Sequence, residues 1–341
     1  MTRACLAVLF SAALLTPPPA FASAPDDAQP PQNQAADAVY YGRRLEPRGR
    51  AVLHGVGQDH PAFLEYTNQM KDMKPSVYMA YVGMGKDAPR RLERLARTLA
   101  DMDGHYVAVQ VGMGLRSDRL PPDEKEEILK EICKALEAFP HPIFLRLGFE
   151  FNGNWNNYDP EQFRKGWVEF STILRKYDTD HVALMWCYAP DEKADFMNWY
   201  PGDEHVDWWS IDPFSERHFS SSVTMEFMDE AVKRGFPVMY GESSPRFISA
   251  TRGELSWRVW FQRFFDLMEK YPNIKGFCYI AWNWEDHHPY STSSYSLHWW
   301  GDARVWRDAY VFNKWREELA KPHYIHAGAR EYLHKRLGLG P

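Results

Sequence analysis

The chain has 341 residues, of which 45% are apolar and 25% charged, enough for one large domain with a substantial buried core or for two ordinary ones. Its formal charge of −6 supplies neither a basic stripe for nucleic acid nor a polybasic patch for a membrane surface. Beyond the N-terminus no apolar run is long enough to span a bilayer, so no membrane insertion is expected, and a monomer is.

The N-terminus reads as an export signal over residues 1–22. Arg3 gives a short positive region, Ala4 to Leu15 an apolar run, and Ala20-Phe21-Ala22 a small-x-small cleavage pattern. The expected location is therefore outside the cytoplasm, periplasmic or extracellular. Residues 23–48 are rich in Ala, Pro, Gln and Asp with almost no apolar period, and read as a flexible leader. Residues 49–341 then form a single domain. Cleavage would leave Cys133, Cys187 and Cys278, too few for a disulfide framework and better read as buried thiols.

From there short apolar runs alternate with amphipathic stretches, the rhythm of a parallel α/β fold. The runs begin near Val52, Ser76, Tyr106, Ile143, Val182, Val206, Val238 and Lys275. The clearest helices are Asp123–Phe139, Pro160–Lys176, Val223–Arg234 and Leu255–Tyr271, with Pro122-Asp123 and Asp159-Pro160 as start signals. Eight such units predict a (β/α)8 TIM barrel, in the α/β class, rather than an open doubly wound sheet. His54-Gly55-Val56-Gly57-Gln58 lacks the G-x-G-x-x-G spacing of a dinucleotide loop.

A barrel of this kind builds its site at the C-terminal ends of its strands. Strand four, Pro142 to Gly148, runs into Phe149-Glu150-Phe151-Asn152. Strand seven, Pro237 to Gly241, ends at Glu242-Ser243-Ser244. Each is an apolar run that ends in a glutamate near a glycine, and a carboxylate there is costly unless used or paired. Two facing carboxylates are what glycoside hydrolysis requires: one protonates the leaving oxygen while the other attacks the anomeric carbon, with about 5–5.5 Å between them for retention. The competing reading makes them surface or salt-bridged groups, with Arg146 as a partner.

These same residues carry a resemblance. Leu145-Arg146-Leu147-Gly148-Phe149-Glu150-Phe151-Asn152-Gly153-Asn154-Trp155, together with Gly241-Glu242, resembles the family 26 glycoside hydrolases, retaining barrels that include β-mannanases, β-glucanases and xylanases. The resemblance implies Glu150 as acid/base and Glu242 as nucleophile, acting on a β-linked polysaccharide or oligosaccharide by double displacement, with no cofactor. The chain departs from that family at two points. Phe149 stands where His usually precedes the acid/base, and Phe214, after strand six, has no hydroxyl for the nucleophile, which leaves Tyr240 and Tyr279 as candidates for that hydrogen bond.

The substrate-binding set expected around them is Arg146, Asn152, Trp155, Asp212, Trp282 and Trp284. The tryptophans offer flat faces to sugar C–H groups or pack in the core. Asn152 and Asn156 either bond sugar hydroxyls or shape their loop, and Asp212 either binds sugar or orients Arg146. All fourteen tryptophans lie between Trp155 and Trp315, as expected if a site in the second half is aromatic. Asp286-His287-His288 lacks the spaced partners of a metal site, and Gly241-Glu242-Ser243-Ser244 is not a G-x-S-x-G elbow. Residues 290–300 read as a long loop walling the cleft. Two other readings share the site: a non-catalytic carbohydrate-binding barrel, and a transglycosylase.

Overall fold

Eight strands that are buried along nearly their whole length must have protein on both faces, and in a parallel sheet that means helices outside and a filled interior. The computed structural model, which describes residues 39–100, 102, 105–190, 195–286 and 300–340, has this arrangement. The strands are β1 (Val52–Gly57), β2 (Val77–Tyr81), β3 (Ala108–Met113), β4 (Ile143–Leu147), β5 (Val182–Tyr188), β6 (Trp208–Ile211), β7 (Val238–Ser243) and β8 (Ile274–Ile280). Each pairs in parallel with the next. β1 pairs with both β8 (Leu53 opposite Gly276) and β2 (Gly55 opposite Val77), and this closes the barrel. It is a (β/α)8 TIM barrel. The expected signal segment, and residues 23–38 of the expected leader, lie outside the described residues; residues 39–48, expected as part of that leader, instead pack on the barrel, with Leu45 and Glu46 buried and the Arg44 carbonyl accepting from Trp208 Nε1.

The outer layer follows from amphipathic sequence. It comprises α1 (His60–Met70), α2 (Ala88–Ala100), α3 (Lys125–Glu137), α4 (Pro160–Leu174), α5 (Ser222–Arg234), α6 (Gln262–Lys270), α7 (Ala309–Leu319) and α8 (Arg330–Arg336). Asp159 caps α4, accepting from the Glu161 and Gln162 amides, with Pro160 in the first turn where its missing N–H costs nothing. Gly235 ends α5 in the left-handed conformation. The crossover from β5 to β6 departs from the repeat among the described residues: it holds two 3₁₀ turns, Phe196–Trp199 and Asp203–His205, where the other crossovers carry an α-helix. α6 is preceded by a π turn, Trp257–Phe261. No helix among the described residues is long and apolar enough to cross a membrane. Cys133, Cys187 and Cys278 are buried free thiols.

The C-terminal segment adds a ninth strand, β9 (Tyr324–Ile325), parallel to the start of β1. It brings His326 against His54, forming a buried chain in which every proton is assigned by its neighbour. His326 Nε2–H donates to the Leu319 carbonyl, so its Nδ1 accepts from His54 Nδ1–H at 3.1 Å. His54 Nε2 then accepts from the Tyr66 hydroxyl at 2.7 Å, and Tyr66 accepts from Trp315. An extra proton on His54 has nowhere to go, and burial, then the His326 charge, holds its pKa well below the ordinary value. The unfolded chain, titrating near 6.5, binds that proton more readily. The stability from neutral His54 is therefore complete above that value and lost as pH falls. Denaturant unfolding should show less stability at pH 5 than at pH 7 from this group. The pH dependence should flatten in His54→Gln, and equal slopes in the two proteins would refute this account.

Candidate active site

β4 and β7 deliver the two glutamates to one cleft at the C-terminal mouth of the barrel. The cleft, of about 450 Å³, is lined by Gln58, Tyr81, Phe149, Glu150, Trp155, Phe214, Glu242, Arg246, Trp282, Trp284 and Trp300. Seven of these eleven are aromatic, a wall suited to the flat faces of sugar rings.

Local backbone turns Glu150 into the cleft. Gly148 (φ 57°) and Glu150 (φ 49°) are both left-handed. At Gly148 a side chain would also strike the Phe163 ring at 2.5 Å. Glu150 has no such freedom, and a non-glycine residue in that region costs roughly 1–2 kcal/mol. The loop supplies compensation: the Asn156 amide donates to the Phe149 and Glu150 carbonyls at 2.9 and 3.0 Å, and the Gly153 amide donates to Glu150 O. Strain of this kind held by surrounding bonds is a mark of functional positions.

Beneath the cleft floor lies a buried ionic cluster. Arg146, fully buried, reaches Asp212 at 3.2 Å through Nη1 and Glu242 Oε1 through Nη2. Asp212 also accepts from the Glu242 backbone amide at 2.8 Å and from the Cys187 thiol at 3.2 Å. Gly241 makes this possible, since a Cβ there would come within 2.5–2.8 Å of Ser210, Asp212 and Arg146. Burial opposes the charge on Arg146, but its two carboxylate neighbours outweigh burial and hold it protonated. Burial pushes Asp212 up, against the pull of Arg146 and with the push of Glu242.

Glu150 stands in the field of this cluster. Burial first, then the charges of Asp212 and Glu242, raise its pKa well above the ordinary carboxyl value, with Arg146 and Trp155 opposing. A carboxyl kept protonated beside another carboxyl is the asymmetry that acid catalysis needs. The two groups are also held alike. Glu150 Oε2 accepts from Trp155 Nε1–H at 2.7 Å, and Glu242 Oε1 accepts from Arg146 and from the Tyr81 hydroxyl. Each carboxyl's second oxygen takes no hydrogen bond from a described residue. One oxygen is anchored and the other is available.

Several expectations change. Arg146 and Asp212 are not substrate contacts: both are buried under the floor, where they hold Glu242. Asn152 is a loop brace, its Nδ2 donating to the Ala189 carbonyl and its Oδ1 accepting from the Ala189 amide. Trp155 lies on the cleft, with its indole N–H committed to Glu150. Trp282 and Trp284 both line the cleft. Trp284 is nearly buried, donates to Ser244 Oγ, and packs at 4.5 Å on Trp300. Neither Tyr240 nor Tyr279 bonds Glu242, since their hydroxyls donate to the Phe264 and Ala303 carbonyls. That hydrogen bond comes instead from Tyr81 on β2, which no local motif announced. His287 and His288, and the loop before Trp300, lie outside the described residues.

Comparison with known proteins agrees with this architecture. The model of glycosyl hydrolase family 26 matches residues 126–240, a stretch that contains Glu150 and stops two residues short of Glu242. A β-1,3-xylanase from a Vibrio species is 24% identical over 322 residues, covering 85% of this chain and 69% of that protein. Another, from an Alcaligenes species, is 25% identical over 309 residues, covering 80% and 64% respectively. The chain thus spans about two thirds of the length of these relatives. Among solved structures, a family 26 β-mannanase from Bacteroides ovatus superposes with a TM-score of 0.58 at 14% identity, covering 83% of this chain and 92% of that one. A protein called GH26C from a Muricauda species gives 0.60 at 13% identity, covering 89% and 93%. At such identities these structures share the fold.

Proposed function

We propose, for a chain that is a family 26-like glycoside hydrolase, an exported enzyme that cuts a β-linked polysaccharide internally and with retention of configuration. The observation that carries the reading is the pair of glutamates in one aromatic cleft, each with one oxygen anchored and one available. In the first step the available Glu242 oxygen attacks the anomeric carbon as the glycosidic C–O bond breaks, and Glu150 gives its proton to the departing oxygen. In the second, Glu150, now a carboxylate, takes a proton from water, whose oxygen displaces Glu242 from the anomeric carbon. The proton returns to Glu150, so the cycle balances.

The names of the relatives favour a xylan with β-1,3 linkages as the polymer, since those two alignments run over most of the chain. Export rests on the pattern from Arg3 to Ala22 and suits a polymer too large to enter a cell. A panel of β-1,3-xylan, β-1,4-xylan, β-mannan and β-glucan, with new reducing ends and product sizes measured together, tests the whole reading. β-1,3-xylan should yield oligosaccharides of intermediate length, first released as the β-anomer by proton NMR. Saturable binding without products would make the chain a carbohydrate-binding barrel. Products longer than the starting oligosaccharide would make it a transglycosylase.

The acid role of Glu150 has its own signature. Glu150→Ala should lose about 10²–10⁴-fold on polysaccharide but much less on dinitrophenyl glycosides, whose leaving group needs no proton. Equal losses on both substrates would remove Glu150 from that role.

A further inference from the structure

Tyr81 enters the cleft from β2, far in sequence from both glutamates. The residue is 39% exposed and forms cleft wall, while its hydroxyl turns inward to Glu242 Oε1. We propose that Tyr81 is the positioning residue of the nucleophile, holding Oε1 together with Arg146 so that the other Glu242 oxygen faces the anomeric carbon. This rests on the reading of Glu242 as nucleophile and deepens it.

Three features fix the hydroxyl. First, the ring lies against Gly112 on β3, where any Cβ would stand 2.6 Å from two ring carbons, so the backbone there leaves the space the ring occupies. Second, Phe149, which follows β4, packs against the ring in a T-shaped contact at 5.4 Å between centroids. Third, Arg146 Nη2 lies 3.4 Å from the phenol oxygen. A guanidinium has no lone pair to offer, so the phenol O–H is directed to the carboxylate. Burial, then the Glu242 charge, raises the Tyr81 pKa well above its ordinary value, and the group stays a donor. A carboxylate with one oxygen held by two donors has lost its rotation about the terminal bond. That is the orientational contribution a nucleophile needs.

The test uses the dinitrophenyl β-glycoside of xylobiose, mannobiose or cellobiose that the full chain hydrolyses fastest. In Tyr81→Phe, which keeps the ring, kcat should fall about 10- to 100-fold while KM stays within about twofold. Gly112→Ala, which pushes the ring aside, should lose kcat in the same range. The decisive arm is Glu242→Ala supplied with azide, where the partner of Tyr81 is gone. Adding Tyr81→Phe there should change the azide-dependent rate less than about twofold, because two groups that act through one contact are not additive. An unchanged kcat in Tyr81→Phe would overturn the proposal. So would the same loss in the azide-rescued background, which would make Tyr81 a substrate contact. Both results leave an inactive Glu242→Ala in place. Full turnover by Glu242→Ala would instead overturn the nucleophile reading and this proposal with it.

Discussion

Glu242→Ala should lower kcat by about four orders of magnitude or more and leave the fold intact. The alanine removes one end of the ionic cluster, but Arg146 keeps Asp212 as its counter-ion at 3.2 Å, so no lone charge is stranded. The backbone amide of residue 242 keeps its bond to Asp212, and β7 keeps its register. Chemistry, by contrast, loses the atom that forms the covalent bond. Azide, small and anionic, should enter the vacated space beside Arg146 and attack the anomeric carbon from the same side that Glu242 would use. The product should be a glycosyl azide of inverted configuration, recognisable by its anomeric coupling constant. Full activity without azide would remove Glu242 from the mechanism. A β-configured azide would mean that the anion attacks from another face.

The barrel was legible because fully buried parallel strands read as short continuous apolar runs, with little else in a chain of this length looking like them. The glutamates were legible because Glu150 follows the end of strand Ile143–Leu147 and Glu242 lies at the end of strand Val238–Ser243, and a charge there breaks the apolar pattern. The supports of those glutamates were legible only in part. Arg146 sits on the strand that leads to Glu150, yet it pairs with Asp212 and Glu242 across the barrel, and strand periodicity does not say which interior groups meet. Asn152 has the composition of a sugar-binding residue and spends both ends of its amide on Ala189. Tyr81 belongs to an ordinary strand, Val-Tyr-Met-Ala-Tyr, in which the last tyrosine differs from the first only in where the closed sheet places it. β9 is two residues long and held by its neighbours, below the length at which a pattern exists.

The buried ionic cluster sets the largest expected effect on stability. Arg146→Met keeps the side-chain volume while deleting the charge, and leaves Asp212 fully buried and Glu242 nearly so without the cation between them. Breaking a buried pair in this way costs about 3–5 kcal/mol, more than the intact pair contributes relative to an apolar replacement. In a domain of this size that corresponds to a fall in Tm of roughly 5–8 °C. The sign of the pH dependence identifies the cause. Without Arg146 the Asp212 pKa rises further above its unfolded value, so the folded state of the variant prefers the proton more than the unfolded state does. The variant's penalty should therefore shrink as pH falls from 7 to 5, and calorimetry of both proteins across that range measures it. Adding Asp212→Asn to Arg146→Met should return part of the lost stability, because the stranded charge goes with it. A loss below about 1 kcal/mol, typical of an exposed ion pair, or a penalty that grows on acidification, would mean that solvent rather than Arg146 neutralises these carboxylates. Glu242 would then lack the charge-assisted contact that holds its oxygen. Activity supplies the last link in this argument: Arg146→Met should reduce kcat far more than Tyr81→Phe, since it removes a full charge as well as a donor from the same oxygen.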